Sequence, residues 1–289
     1  MNAYSLVGES QHDQKNKRAK QNRLLRSEAQ ATMLSGDNYY KSVLSHFIAV
    51  LMSGGFFYAA YLLAVYGASY GIGEMSAQAV VVFVTCICVI LCLIGAFFLF
   101  SFLLGAYTLS CGMNGETKPD GSMHISSMSA MLSPFSSGRV FKNTVITFLI
   151  LAFELIVCSV PTVFVFGFIG STGINGLTAA IIKVFVLFCS IFVGLFFVFL
   201  LLPYPYVAKN SNEKSPFRMY AASAKAALCD IWLGYNMFFS FIFLLILSAL
   251  SFGVLYFAYT MPYMTHSMAK VGEYLYKLST TERNDINET

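Results

Sequence analysis

Long apolar runs, separated by short polar segments, make up most of this chain. Four of them cover residues 43–69, 77–111, 140–169 and 177–207. An α-helix rises about 1.5 Å per residue, so roughly 20 apolar residues cross the ~30 Å hydrocarbon core of a bilayer. Each of these four runs is therefore long enough to predict one transmembrane helix.

A fifth apolar run, over residues 231–267, is too long for a single span. A tight turn fits near its middle at Ser251, Phe252 and Gly253, because glycine gives the backbone the freedom to reverse there. The run predicts two spans, 231–250 and 253–278, of which the second becomes polar towards its end. The predicted fold is all-α: a polytopic bundle of six transmembrane helices.

The distribution of basic residues favours six spans over five. Lysine and arginine in short loops remain on the cytoplasmic side of a membrane. With six spans and both termini inside, Lys183 is the only one of the 18 basic residues away from that side. With five spans, Lys270, Lys277 and Arg283 would also lie outside. We therefore expect a multi-pass protein of the cell membrane, inner or plasma, with cytoplasmic N- and C-termini.

The polar ends of the chain frame the membrane domain. Residues 1–22 hold little apolar surface and predict a disordered basic arm, followed by a six-span domain over 23–278 and a polar tail over 279–289. Each basic residue of the arm near an anionic lipid surface would add about 1 kcal/mol of attraction. An ordinary positive-inside anchor explains the same residues.

Two cytoplasmic segments have apolar residues at helical spacing. These residues are Met128, Met131, Leu132 and Phe135 in the first segment, and Phe217, Tyr220, Ala221, Ala224 and Leu228 in the second. In the second, Ser215 can cap a helix and Pro216 suits its first turn. Both segments predict short amphipathic helices at the cytoplasmic interface, each with its apolar face towards the lipid.

Composition excludes a soluble domain. The chain is 57% hydrophobic and only 11% charged, whereas soluble domains carry roughly 25% charged residues. Its seven cysteines lie in or beside the apolar runs without Cys-x-x-Cys spacing, which indicates packing rather than metal binding. We expect no metal, no cofactor and no nucleic-acid partner.

Glu154 is one of two charged residues expected inside the membrane. It lies about 16 Å beyond the inner end of the third span, close to the midplane. A charge there costs at least about 2.5–3.5 kcal/mol, so Glu154 is a candidate for binding or relaying a proton or cation. The alternative is a neutral acid bonded to a hydroxyl of a neighbouring span. Hydroxyls that suit this role are those of Ser53, Thr85, Ser101, Ser190 and Ser248.

Four further residues qualify as binding candidates. Lys183 lies about 9 Å inside the fourth span, where its stem can reach the outer headgroups; pairing with Glu154 is the alternative. Pro161 and Pro262 each remove a helical hydrogen bond, and the freed carbonyls near Val157 and Ala258 would either line a cavity or only mark kinks. His266 and the similarly isolated His46 favour interfacial hydrogen bonding over metal binding.

Several short stretches resemble a bacterial family of uncharacterised six-helix membrane proteins. The stretches are residues 26–36, 105–116, 131–139, 202–209 and 261–264, the last followed by Tyr274. Over about residues 24–278 the pattern resembles the YciC-like integral membrane proteins and their Gram-positive relatives. The resemblance implies a six-helix bundle and no chemistry, because that family has no established active site to carry over.

The residues show no catalytic constellation, so we expect no enzyme activity. The function that we expect is organising lipids or supporting a partner membrane complex, with membrane lipids, a membrane protein or a second copy of the chain as partners. The alternative is a small proton- or cation-coupled carrier that uses Glu154.

Overall fold

The structure is a computed structural model that describes residues 3–67, 77–113, 127–172, 176–210 and 215–287. Within these ranges every regular element is helical. A 3-10 helix, Met128–Phe135, and a π-helix, Tyr256–Thr260, accompany the α-helices. The α-helices of the described ranges are α1 (Ala3–Leu34), α2 (Asn38–Gly67), α3 (Ala77–Met113), α4 (Gly138–Thr172), α5 (Leu177–Leu200), α6 (Tyr204–Asn210), α7 (Pro216–Leu228), α8 (Ile231–Phe239), α9 (Ile242–Leu250) and α10 (Met261–Asn287).

Five helical segments of the described ranges are long and apolar enough to cross a membrane. They are Asn38–Tyr66, Ala79–Gly112, Gly138–Ser171, Leu177–Asn210 and Ile231–Leu250. They overlap the first five predicted spans, so the all-α class is confirmed and the helices are consistent with an integral membrane protein. The segment between the first two predicted spans, residues 70–76, lies outside the described residues.

The predicted sixth span, 253–278, combines a turn, the π-helix and the polar helix α10 in the structure. The turn expected at its start is confirmed, since Phe252 and Gly253 have φ angles of 52° and 82°. The π-helix and then α10 follow, and the polar residues Lys270 and Glu273 enter α10 within its first four turns. The segment therefore lacks the continuous apolar length of the other five, and a sixth span stays a prediction.

The described chain forms two compact units. Unit 1 comprises Met1–Ala29, Val145–Ile242 and Ser267–Thr289, and unit 2 comprises Gln30–Thr144 and Phe243–His266.

In unit 2, α2 packs along α3, and the 3-10 helix docks against the C-terminal half of α3. The rings of Phe56 and Phe98 stack at 5.1 Å, and a buried core joins Ala49, Phe102 and Met131. The short helix predicted for this segment is a 3-10 helix in the structure, and its position at the membrane interface stays a prediction. With three residues per turn, Met128, Met131 and Pro134 share one face of the 3-10 helix.

The apolar side chains of that 3-10 helix are used mainly inside the protein. Met128, Met131 and Phe135 pack into the core of unit 2, while Leu132 stays 53% exposed. The lipid-facing role predicted for this segment therefore has one clear candidate side chain, Leu132.

In unit 1, α4 and α5 form an antiparallel pair with a definite register. The Leu155 side chain lies against Gly194, the hydroxyls of Thr162 and Ser190 form a hydrogen bond, and Lys183 lies over Phe166. These contacts follow one another along both helices in opposite directions. They therefore show which residue of α5 lies beside a given residue of α4.

Helix α1 extends over residues 3–34, which include most of the predicted basic arm, residues 1–22. Two ion pairs attach it to the rest of unit 1. Arg18 lies 3.2 Å from the Asp230 carboxylate, and Glu28 lies 3.8 Å from Lys270. The first of these pairs holds a residue of the predicted arm, and the disorder of residues 1–22 stays a prediction.

Candidate functional site

The exposed apolar surface of α4 and α5 has the height of a bilayer core. Beyond the first turn of α4, its large exposed apolar side chains run from Leu149 to Phe168, about 29 Å along the axis. Those of α5 run from Leu177 to Val198, about 32 Å. The register of the two helices brings Leu149 and Val198 to within about one turn of the same level. We call these residues the apolar band of the hairpin.

Glu154 lies near the end of the apolar band that is marked by Leu149. It follows Leu149 by about 8 Å along α4, which is nearer the margin than the midplane depth expected from the sequence. The difference arises because α4 begins well before the band does. The carboxyl is half-buried and accepts a hydrogen bond from the Tyr220 hydroxyl, which lies 2.8 Å from Oε1 and 2.6 Å from Oε2.

Helix α7 brings Tyr220 to this carboxyl. One face of α7 carries small side chains and is buried, and its Ser223 donates a hydrogen bond of 2.6 Å to the carbonyl of Leu200 at the end of α5. Tyr220 precedes Ser223 by three residues, so it lies about one turn away, on the flank of that buried face. The partner of Glu154 thus comes from the connecting segment, whereas the sequence predicted a hydroxyl of a neighbouring span.

The environment of Tyr220 keeps its hydroxyl protonated. Burial raises the pKa of Tyr220 well above its ordinary value, and the neighbouring Glu154 carboxylate raises it further. At physiological pH the hydroxyl therefore remains a hydrogen-bond donor to the carboxylate. The pair ties the third candidate span to the segment between the fourth and fifth.

The apolar face predicted for α7 points away from the buried side of the helix. Phe217 and Leu228 are 62% and 55% exposed, whereas Met219, Ser223, Ala226 and Ala227 are buried. Among the residues predicted for that face, Tyr220 is the one able to form a side-chain hydrogen bond. This was the signal in the sequence that could have identified it as a partner for a charge.

Lys183 lies near the opposite margin of the apolar band. Its Nζ atom lies over the Phe166 ring, 5.7 Å from the centroid, which is a cation–π contact. Phe166 follows Glu154 by about 18 Å along α4, so the ammonium and the carboxyl occupy different levels. Pairing of Lys183 with Glu154 therefore does not occur in the structure, and contact of the lysine with the headgroups stays a prediction.

The two candidate prolines have different surroundings. Pro161 is exposed within the continuous helix α4. Pro262 is buried and follows the π-helix by two residues; having no N–H, it leaves the Ala258 carbonyl without its usual helical donor. In unit 2 the Tyr39 hydroxyl donates to that carbonyl at 2.6 Å. The carbonyl freed by Pro262 is thus satisfied inside the protein.

Two histidines of unit 2, His46 and His266, are buried. His46 Nδ1 lies 2.7 Å from the Ser42 carbonyl and Nε2 lies 3.0 Å from Thr265 Oγ1. A carbonyl oxygen only accepts, so Nδ1 carries a proton. His266 is fully buried in α10. No group of three His, Cys, Asp or Glu side chains suited to a metal ion occurs among the residues that the structure describes.

No family model, curated protein or solved structure matches this chain. Membership of the YciC-like proteins therefore stays a prediction.

Replacing Tyr220 by phenylalanine tests the tie to Glu154. The change removes the hydroxyl and leaves the half-buried carboxyl without this donor. We expect a loss of about 1.5 kcal/mol in the free energy of unfolding, the lower end for a hydrogen bond to a charged group, since the site is partly exposed. Unfolding by SDS titration in mixed micelles measures it.

The matched control is Tyr58→Phe, because the Tyr58 side chain is 61% exposed. A loss at Tyr220 no larger than that at Tyr58 would show that the hydrogen bond contributes nothing to stability.

Proposed function

We propose that this chain is a non-catalytic integral protein of the cell membrane that either organises lipids or supports a partner membrane complex. In this proposal it has six spans and cytoplasmic termini, as in the YciC-like proteins. The observation that carries the proposal is the position of the two intramembrane charges. Both lie near the margins of the apolar band, and the Glu154 carboxyl is engaged by Tyr220.

A coupled carrier needs polar groups at successive depths, so that a proton or cation can move between the two sides. Over the roughly 18 Å between the levels of Glu154 and Phe166, α4 and α5 carry no charged residue. Thr162 and Ser190 lie in this interval and bond to each other. This pattern favours a lipid-facing hairpin over a conduction route.

The exposed surface of the same hairpin supports contact with lipid. In the candidate span Gly138–Ser171 only 6% of the most apolar window is buried inside the described protein. Large side chains such as Phe153, Phe164 and Val184 point outward, at 67%, 73% and 66% exposure. Lipid tails or an apolar membrane partner would cover them.

Purification in mild detergent, with mass spectrometry of what is retained, tests the proposal. We expect phospholipid to remain with the protein at a composition that differs from that of the host membrane. Retained lipid of the same composition as the bulk membrane, with no protein partner at a fixed ratio, would contradict it.

The alternative function is a carrier, and the observation that favours it is the half-buried Glu154 carboxyl with its partner on a different helix. The substitution Glu154→Gln separates the two functions. The glutamine carbonyl can still accept from Tyr220, so we expect folding and retained lipid like those of the parent. In proteoliposomes under an imposed pH or cation gradient, neither protein should move protons or cations. Flux in the parent that Glu154→Gln abolishes would instead establish the carrier.

A further inference from the structure

A basic cleft of about 930 Å³ lies within unit 1, between α1, the start of α8 and α10. Four basic side chains line it, those of Lys17, Arg18, Lys20 and Arg23. Asp230 is the acidic residue among the lining residues. The cleft therefore has a strong excess of positive charge.

The one carboxylate in the cleft is engaged by one of the four cations. Arg18 Nε lies 3.2 Å from both oxygens of Asp230. Among the residues that the structure describes, Lys17, Lys20 and Arg23 have no ion-pair partner. Clustered cations without counter-charges raise the local concentration of anions and favour their binding.

The basic residues are arranged along one side of a helix. Lys17, Lys20 and Arg23 follow each other at intervals of three, so neighbouring members lie about one turn apart on α1. Arg18 borders this row and is held in place by Asp230. Several donors can thus converge on one anionic group, and arginine in particular matches the oxygens of a phosphate.

The cleft lies at the end of a candidate span. Asp230 immediately precedes Ile231–Leu250, and Trp232, in its first turn, is 53% exposed. Tryptophan in this position is typical of the boundary between headgroups and hydrocarbon. Leu233 of that first turn and Tyr274 of α10 add apolar lining beside the cations. Such a combination suits a ligand with a charged head and an apolar base.

From these observations we propose that the basic cleft binds a phosphate group presented by an anionic phospholipid headgroup. Lys20, Arg23 and Lys17 hold the phosphate, and Arg18, positioned by Asp230, contributes a fourth cation. The inference rests on the proposed lipid-organising function and names the lipid class and the residues that would recognise it. Free inorganic phosphate presents the same oxygens and is distinguished from lipid by experiment.

The experiment uses the full chain in zwitterionic detergent with three probes: short-chain phosphatidylglycerol, short-chain phosphatidylcholine and inorganic phosphate. Binding is measured by calorimetry and by native mass spectrometry. The variant Lys20→Gln/Arg23→Gln removes two exposed cations of the cleft. The control variant Lys209→Gln/Lys225→Gln removes two exposed cations outside it.

We expect the parent to bind phosphatidylglycerol more tightly than either other probe. The cleft variant should bind it about thirtyfold more weakly, since each Lys or Arg near an anionic headgroup contributes about fivefold. The control variant should remain within about twofold of the parent. Should the double variant fail to fold, the single variants Lys20→Gln and Arg23→Gln provide the same test, with about a fivefold loss each.

Each remaining outcome overturns a specific part of the proposal. Inorganic phosphate that binds as tightly as phosphatidylglycerol would assign the cleft to a free anion. Equal losses in the cleft and control variants would remove the cleft as the site while leaving a general lipid-organising function intact. The parent protein could also show no preference for phosphatidylglycerol over phosphatidylcholine and yet retain a selected set of lipids on purification. That result would likewise remove the cleft as the lipid site and leave the lipid-organising function intact.

Discussion

A protein with alanine at position 105 is expected to fail to assemble unit 2. A Cβ atom on Gly105 would lie 1.9 Å from the Met131 carbonyl oxygen and 2.8 Å from its carbonyl carbon. These are backbone atoms, so no side-chain rotation relieves the overlap, and the 3-10 helix must move away from α3. Overpacking of a well-packed core costs roughly 1–3 kcal/mol and occasionally more, and we expect Gly105→Ala at or above the top of that range.

The measurement is the SDS concentration at the unfolding midpoint, together with the yield of folded protein from membranes. Gly54→Ala is a matched control in the same unit, since a Cβ there meets nothing within 4 Å. Because alanine favours helix over glycine by up to about 1 kcal/mol, the control should be as stable as the parent or more so. Equal midpoints for the two variants would mean that the approach of Met131 to Gly105 is not part of the folded protein.

The five candidate spans were predictable because one property, continuous apolar length, determines them. The 3-10 helix was less predictable, although the positions of Met128 and Met131 were recognised as helical. A three-residue and a four-residue period are hard to separate over eight residues. What distinguishes them is a tertiary contact, the approach of Met131 to Gly105, together with Pro134 in the same segment. Neither the contact nor its partner is visible in the local pattern.

In the candidate site, too, one residue could be predicted from the sequence and its partner could not, because the partner is defined by tertiary contacts. Glu154 was identifiable as the one acidic residue within a long apolar run. Its partner Tyr220 lies 66 residues away, in a segment predicted to be interfacial. The prediction for α7 recognised its apolar face but not the buried one opposite, because Ser223, Ala226 and Ala227 are small rather than strongly apolar. Small residues permit close packing of helices, and their significance emerges only when the neighbouring helix is known.

The second large effect is expected from Phe241→Ala in unit 1. Phe241 is fully buried at the junction between α8 and α9, and the Arg26 guanidinium lies 5.1 Å from the centroid of its ring. Alanine would leave a cavity and remove the ring face beneath a cation that is itself partly withdrawn from solvent. Truncation of a buried phenylalanine costs roughly 3–5 kcal/mol. The unfolding midpoint in SDS should therefore fall well below that of the parent.

The substitution Phe241→Leu separates packing from the cation–π contact. Leucine retains much of the apolar volume but has no ring, so this variant should lose the cation–π contribution of about 0.5–2 kcal/mol and only part of the packing. A double-mutant cycle with Arg26→Gln measures the coupling directly, because the arginine change should matter less once the ring is gone. If Arg26→Gln costs the same with phenylalanine and with leucine at position 241, the guanidinium and the ring are not coupled. An unchanged midpoint for Phe241→Ala would mean that Arg26 does not attach α1 to the junction of α8 and α9. The basic cleft begins about one turn before Arg26 on α1, so its cations would then lack a contact that holds this part of α1 in place.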